Sequence, residues 1–152
     1  MKSNSGARST LKPKKRKKRR KHGSYLQTKK KLDALVSKWI RLEHMGKDGL
    51  IECSTCDTKT EYKYMQCGHF MSRRYSNTRY HPFNLAPQCR GCNMFAQGRQ
   101  WLMGRWLDRR HGKGTAMDMY KLSRSKNRIT QADLNAIQHD FEQRIEAINK
   151  GD

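Results

Sequence analysis

Two short cysteine pairs constrain the fold of this chain more than any other feature of its sequence. They are Cys53-x-x-Cys56 and Cys89-x-x-Cys92, and 32 residues lie between them. Two such pairs can close a tetrahedral site of four sulfur ligands, which favours zinc because zinc has no redox chemistry. The alternatives are a redox pair and chance spacing. We predict a structural zinc, since four protein ligands leave no open position for a reacting water.

The composition predicts a polyanionic partner. The chain has 152 residues with 34 Lys or Arg against 13 Asp or Glu, so its formal net charge is +21. A compact protein with this charge repels itself unless a polyanion neutralises it. Nucleic acid is the first candidate and an anionic membrane surface is the second. There is no apolar run of about 18 residues to span a membrane and no N-terminal secretory signal, so we expect a protein that stays inside a cell.

The charge and hydrophobic patterns divide the chain into four parts. Residues 1–24 carry eleven Lys or Arg and no acidic residue, which predicts a disordered basic arm. Residues 25–112 hold the cysteine pairs behind a leading amphipathic helix, and residues 113–127 are predicted to be a basic linker. Residues 128–150 carry the single apolar stripe of a helix, which packs either on the core or on a second copy of the chain.

The basic arm is interpreted as a phosphate-binding segment. Such a segment releases counterions when it lies on nucleic acid, and a purely solubilising tail would not need charges of one sign only. A solubilising tail and a nuclear-localisation signal are the alternatives. The arm residues assigned to DNA are Lys14, Lys15, Arg16, Lys17, Lys18, Arg19 and Arg20.

A histidine between the cysteine pairs is the candidate for chemistry. His69 ends a predicted strand, Asn84 follows 15 residues later, and Asn93 opens a helix directly after the second pair. This order is similar to the HNH, or ββα-metal, nuclease site. Phosphodiester hydrolysis needs a base for water, a group that orients the base, a cation that offsets phosphate charge and arginines that grip phosphates. The arginines assigned to DNA are Arg73, Arg74 and Arg79.

Each of these residues also has an ordinary structural interpretation. A lone histidine in a zinc domain is usually a core or surface residue, and the arginines could simply extend the basic surface. Asn84, which precedes Leu85, could be a turn residue. Similarity of layout does not by itself establish chemistry.

Nearly the whole chain, from about residue 26, resembles the NinG, or Rap, recombination nucleases of lambdoid phages. The family's motifs occur in order, and the string NLAPQCRGCN with GHF upstream is specific in combination. A closing amphipathic helix completes the likeness. The matching segments are WIR (39–41), CSTC (53–56), GHFMSRR (68–74), RYHPFNLAPQCRGCN (79–93), Gly98 and ITQADLNAI (129–137).

The resemblance implies a structure-directed endonuclease that acts on branched DNA, including Holliday-type junctions, during phage recombination in the cytoplasm of a bacterial host. It implies a catalytic Mg²⁺ or Mn²⁺, and DNA rather than a membrane as the partner. His69 takes the general-base place, Asn84 the orienting place, and Asn93 the third place of the H-N-N variant, at or near the metal. The implied fold is α+β, a small zinc-stabilised ββα-metal core (HNH or treble-clef-like) flanked by N- and C-terminal helices.

The sequence departs from the HNH pattern at the residue before the base. Many HNH sites have Asp or His there as a metal ligand, whereas this chain has Gly68. His81 is one candidate for the missing ligand. Cys67 is a weaker one, because thiolate is a poor match for magnesium, and its ordinary interpretation is a small buried residue. A further alternative is that His69 itself binds the metal.

Two functions stay open. The first is a metal-dependent endonuclease with a structural zinc, and the second is a non-catalytic zinc-knuckle protein that binds or anneals DNA. Both predict salt-dependent binding, mostly through phosphates. Only the first predicts that His69→Ala abolishes cleavage while binding is kept. A homodimer through the C-terminal helix would suit paired cuts across a junction.

Overall fold

A computed structural model describes residues 22–151, with side chains from 25 to 151. The DNA contacts predicted in the arm, at 14–20, lie outside these residues. Helices and strands alternate through the described part, so the fold is mixed. The elements are α1 His22–Glu43, β1 Leu50–Glu52, β2 Lys59–Glu61, β3 Met65–His69, α2 Ser76–Arg79, a 3-10 turn Pro82–Asn84, β4 Leu85–Cys89, a π-helical turn Gly91–Phe95, a 3-10 turn Gln97–Arg99, α3 Gln100–His111, α4 Thr115–Ser123 and α5 Gln131–Lys150.

Two antiparallel hairpins carry the cysteines and the candidate histidine. β1 pairs with β2 around the first cysteine pair. β3 pairs with β4, and this register sets Met65 opposite Cys89 and His69 opposite Leu85. The second cysteine pair therefore lies at one end of this hairpin and His69 lies at the other.

Two small cores hold these elements together. In the larger one, α5 packs on α1, where Val36 and Trp39 lie among the buried residues that include Phe141. The Trp39 and Phe141 rings meet edge to face with centroids 5.1 Å apart, a favourable aromatic geometry. The apolar stripe of α5 therefore packs on the core, which is the first of the two partners predicted for it. The smaller core surrounds the cysteines and contains Ile51 and Met65.

A capping box begins the last helix. The Thr130 hydroxyl accepts a hydrogen bond from the Asp133 backbone N–H at 3.2 Å, and the Asp133 carboxylate accepts one from the Thr130 N–H at 2.7 Å. Two backbone donors that the first helical turn leaves unpaired are thereby satisfied. None of the helices between residues 22 and 151 has both the length and the apolar composition needed to cross a membrane.

The segment 113–127 differs from its prediction as a basic linker, because most of it is helix α4. The Asp108 carboxylate accepts a hydrogen bond from the Ala116 N–H at 2.8 Å, near the start of this helix. Met119 is buried, and the Asn77 amide donates to the Ser125 carbonyl at 2.7 Å. Tertiary contacts thus stabilise a helix that its weak hydrophobic pattern does not predict.

Candidate functional site

The four paired cysteines form one cluster. Their sulfur atoms all lie within 4.8 Å of one another, and the Cys56 and Cys89 sulfurs are 3.8 Å apart. A zinc ion with Zn–S bonds of about 2.3 Å holds tetrahedral sulfurs roughly 3.8 Å from each other. The cysteines are therefore positioned to bind a metal ion, and their geometry is consistent with a structural zinc.

Hydrogen bonds around the cluster favour the thiolate form that a metal requires. The Cys89 backbone N–H donates to the Cys53 sulfur at 3.3 Å, and the Cys92 N–H donates to the Cys89 sulfur at 3.5 Å. The hydrogen bond between the side chains of Cys56 and Thr58 lowers the pKa of Cys56 to about 6, whereas burial raises the pKa of Cys92 to about 12. Groups that stabilise a thiolate lower the proton cost of metal binding.

A cavity of ≈ 390 Å³ brings together three of the predicted site residues. His69, Arg73 and Asn93 all line it, although they come from β3, from the following loop and from the turn after the second cysteine pair. Asn93 follows Cys92 directly, so the metal cluster fixes its position. Its amide Nδ2 donates to the Gln66 Oε1 at 2.8 Å. His69 and the residue after the second cysteine pair therefore line one cavity.

The His69 ring is oriented by the backbone. Its Nε2 lies 3.1 Å from the carbonyl oxygen of Arg79. Burial, followed by the positive charge of Arg73, lowers the pKa of His69 to about 4. The imidazole is therefore neutral at pH 7, which is the form in which it can accept a proton.

The hydrogen bonds of the Asn84 side chain go to the backbone of Met71 and Thr78, so the orienting role predicted for Asn84 would reach His69 indirectly. The side chain is fully buried, and its Oδ1 accepts from the Met71 N–H at 2.7 Å. Its Nδ2 donates to the carbonyls of Met71 at 3.0 Å and Thr78 at 2.9 Å. Asn84 therefore holds the loop whose Arg79 carbonyl in turn holds His69.

The three predicted phosphate-binding arginines have different surroundings. The Arg79 guanidinium makes two hydrogen bonds to the Asp33 carboxylate, at 2.6 and 2.9 Å, with both side chains largely covered. Such a bidentate pair occupies the donors that a phosphate would need. Arg79 is accordingly a structural residue in this fold. Arg73 and Arg74 are exposed, and Arg74 donates to the Tyr75 hydroxyl at 2.7 Å.

Neither candidate for the missing metal ligand has a suitable position or form. His81 lines a different cavity, beside Pro82 and Ile137, and its Nδ1 accepts from the Phe83 N–H at 3.2 Å. Cys67 does line the His69 cavity, but burial raises its pKa to about 12. It is a neutral thiol that packs against the larger core, as its ordinary interpretation predicted.

Gly68 stands where many HNH sites have a ligand because a buried glutamine fills the space. A Cβ added at Gly68 would lie 2.2 Å from the Oε1 of Gln88. Gln88 is fully buried, and its Nε2 donates to the Gly98 carbonyl at 2.7 Å and the Thr55 hydroxyl at 3.0 Å. Sequence reasoning missed this role of Gln88, since nothing local marks which face of the hairpin it enters.

We expect Gly68→Ala to destabilise the fold, because the hydrogen-bonded Gln88 has no room to move aside. Overpacking of this kind costs about 1–3 kcal/mol, and roughly 2–4 °C of Tm is lost per kcal/mol in a chain of this size. Gly91→Ala is the matched control, since its Cβ would meet only the Cys89 sulfur at 3.8 Å. Thermal melts followed by circular dichroism would measure both, and equal Tm values would contradict the steric explanation.

Comparison with known proteins identifies a family. No curated protein and no solved structure gave a significant match to the chain. The family described as Bacteriophage Lambda NinG protein matches residues 2–151. This match covers the cysteine cluster, the His69 cavity and the helices that flank them. The chain therefore belongs to the bacteriophage lambda NinG family.

Proposed function

We propose that this chain is a metal-dependent, structure-directed DNA endonuclease that acts on branched DNA, including Holliday-type junctions, during phage recombination in a bacterial host cell. The observation that carries the proposal is the cavity in which a neutral His69 lies with Asn93 and the exposed Arg73. Phosphodiester hydrolysis uses a neutral base, an amide near the metal and an arginine that is free to bind phosphate. His69, Asn93 and Arg73 supply these groups, and Arg73 forms no ion pair within residues 25–151. Membership of the NinG family supports the proposal.

The contact between His69 and Arg79 decides which ring nitrogen would act as the base. A carbonyl oxygen can only accept a hydrogen bond, so the Nε2 of the neutral ring carries the proton that points at the Arg79 carbonyl, 3.1 Å away. The Nδ1 is then the basic nitrogen. It would take a proton from the attacking water as that water adds to phosphorus.

The donor atoms near His69 fit a cation that is held by few protein ligands. Within residues 25–151, the cysteine cluster is the one group of three or more His, Cys, Asp or Glu side chains positioned for an ion. Mg²⁺ usually keeps several waters and binds to one or two protein oxygens together with substrate phosphates. The Oδ1 of Asn93 is the oxygen we assign, since the Nδ2 of this amide donates to Gln66. A bound cation would offset charge on the scissile phosphate and the leaving oxygen.

The order of elements supports a ββα-metal core. The β3–β4 hairpin carries His69, and the helical segment that starts at Gly91 carries Asn93 directly after Cys92. In this proposal the zinc cluster joins the hairpin to the helical segment and fixes their relative position. Arg73 and Arg74 would hold the phosphates that flank the cut, and the arm residues 14–20 would add further contacts.

A homodimer through the C-terminal helix stays a prediction. The buried stripe of α5, with Leu134, Phe141 and Ile145, already packs on α1. A dimer contact through this helix would therefore use its other faces. The mass of the particle in solution, with and without junction DNA, would measure this.

A specific observation keeps the non-catalytic alternative in view. The one carboxylate that lines the His69 cavity is Asp33, and it is already paired with Arg79. A site that never bound a catalytic cation would still present Arg73 and Arg74 to DNA. The alternative is a zinc-knuckle protein that binds or anneals DNA without cutting it.

The testing experiment is cleavage of a synthetic four-way junction beside a linear duplex of the same arm sequence. We expect cuts near the branch point when Mg²⁺ or Mn²⁺ is added, and no cuts without added cation. Calcium, which has different geometric demands, would serve to measure binding in a parallel sample. Tight binding without cleavage under either catalytic cation would overturn the nuclease proposal and favour the alternative.

A further inference from the structure

A second cavity, of ≈ 580 Å³, lies against helix α3 and shares no lining residue with the His69 cavity. Three arginines of α3 line it together with the first cysteine knuckle, and we call it the arginine cavity. They are Arg105, Arg109 and Arg110. Arg105 and Arg109 are one helical turn apart, about 6 Å along the helix axis. Each strand of duplex DNA carries one phosphate per about 3.4 Å of the helix axis, so two arginines one turn apart on α3 could face two phosphates of one strand.

These three guanidinium groups have no partner within residues 25–151. None of them makes a hydrogen bond or an ion pair with another described side chain, and all three side chains are exposed. The cavity also contains Glu52 and Asp57, but Glu52 is already paired with Lys59 at 3.5 Å. The three positive charges all belong to α3, whereas the carboxylates belong to β1 and to the residue after Cys56. Clustered arginines that have no carboxylate partner of their own are suited to phosphate groups.

Two apolar side chains also line this cavity. Trp106 and Leu102 line it, and the His44 ring meets the Trp106 ring edge to face at 5.5 Å. Burial, with the nearby charge of Arg110, lowers the pKa of His44 to about 4. His44 is thus neutral at pH 7.

The chain between the two cavities exposes two aromatic side chains. Gln97 lines the His69 cavity and Leu102 lines the arginine cavity. Trp101 lies within this connection and Phe95 lies just before it. Their side chains are 76% and 74% exposed, the highest values among the exposed large hydrophobic residues of the described chain. Exposed aromatic rings beside arginines are the usual platform on which unpaired bases stack.

The backbone of this connection is held in an unusual conformation. Gln97 and Arg99 have φ values of 50° and 43°, and they are the two residues other than glycine with positive φ in the described chain. Gly98 between them has φ 77°. Non-glycine residues pay a conformational cost in this region, which persists at sites where the surrounding structure imposes it. The kink separates the π-helical turn Gly91–Phe95 from α3.

We propose that the arginine cavity binds the phosphate backbone of a second DNA segment, so that the protein engages two arms of one branch at once. One arm lies at the His69 cavity and the other at Arg105, Arg109 and Arg110. Trp101, in the connection between the cavities, and Phe95, just before it, stack on bases at the branch point. The inference rests on the proposed function only in its choice of branched DNA.

The test compares binding of a four-way junction and a linear duplex by the zinc-loaded full chain, across a range of salt concentrations and without added Mg²⁺ or Mn²⁺. One variant carries Arg105→Ala, Arg109→Ala and Arg110→Ala. The control variant carries Lys113→Ala, Lys121→Ala and Lys126→Ala, which removes the same charge from exposed positions outside both cavities.

We expect the arginine variant to lose its preference for the junction. Each phosphate contact adds about 0.9 to the slope of log Kd against log salt, so three lost contacts should lower the junction slope by about 2–3. The duplex slope should stay at the wild-type value. The lysine control should weaken both DNAs by the same factor. A junction slope equal to that of the wild type, or equal losses on both DNAs in the arginine variant, would overturn the proposal.

Two further measurements keep the outcome decisive. Zinc content and thermal melts establish that the arginine variant is folded, and the single variant Arg109→Glu replaces the triple one if it is not. The binding readout does not depend on cleavage. If the arginine variant loses its preference for the junction and the wild type never cuts DNA, the second DNA site is supported and the nuclease proposal is rejected. If the wild type cuts the junction and the arginine variant keeps its preference for it, the nuclease proposal is supported and the second DNA site is rejected.

Discussion

Replacing Cys89 with serine should unfold the region between residues 50 and 95. A structural zinc contributes an apparent binding free energy of about 10–16 kcal/mol at neutral pH, which is as large as the whole stability of a typical domain, about 5–15 kcal/mol. The core that surrounds the cluster is small and includes Ile51 and Met65. It cannot replace that free energy, so the two hairpins should separate once one ligand is lost.

Circular dichroism melts and zinc content per chain would measure this effect. Cys67→Ser is the matched control, because Cys67 is also a half-buried cysteine but lies outside the cluster. It should keep one zinc per chain and melt cooperatively. A Cys89→Ser protein with one zinc per chain and an unchanged melt would show that the cluster does not stabilise the fold.

Replacing His69 with alanine should lower the rate of junction cleavage by about 10²–10⁴, the usual contribution of a general base. DNA binding should stay within about twofold, because the phosphate contacts belong to the arginines and lysines. His81→Ala is the matched control, since His81 is also half-buried but lines another cavity. Equal rates in the two variants would remove His69 from the chemistry.

The pH dependence of the wild-type rate adds a second criterion for His69. Its pKa is lowered to about 4 by burial and by Arg73, below the ordinary histidine value of about 6.5. The base is therefore unprotonated above pH 5, and the rate should fall only as the pH drops through about 4. A fall centred near pH 6.5, in protein that still holds its zinc, would contradict the environment assigned to the ring.

The parts of the site that follow from local spacing were predictable from the sequence. Two C-x-x-C pairs bring their own sulfurs close, so the ligands of the cluster could be named without a fold. Asn93 is adjacent to Cys92, and His69 ends the strand that pairs with the strand before Cys89. The register sets His69 at the end of the hairpin away from Cys89, so the presence of both side chains in one cavity also depends on the turn after Cys92.

The parts that depend on distant partners were not predictable. Arg79 pairs with Asp33, which lies 46 residues earlier on α1, and no local pattern connects them. Asn84 acts on the loop that holds His69 because its buried amide meets Met71 and Thr78, whereas its sequence position alone suggested a direct contact. Helix α4 also depends on distant partners such as Asn77, and for this reason the local sequence predicts a linker over 113–127.

The side chain of Gln88 limits how this protein could be re-engineered. It contacts the first cysteine knuckle through Thr55 and the loop before α3 through Gly98, and it fills the space beside Gly68 on the strand that ends at His69. A single buried amide therefore joins three segments that a protein designer would treat as separate modules. The knuckles would not transplant into another scaffold without this hairpin, and a chimera joined between β3 and α3 would have to carry the glutamine and both glycines together.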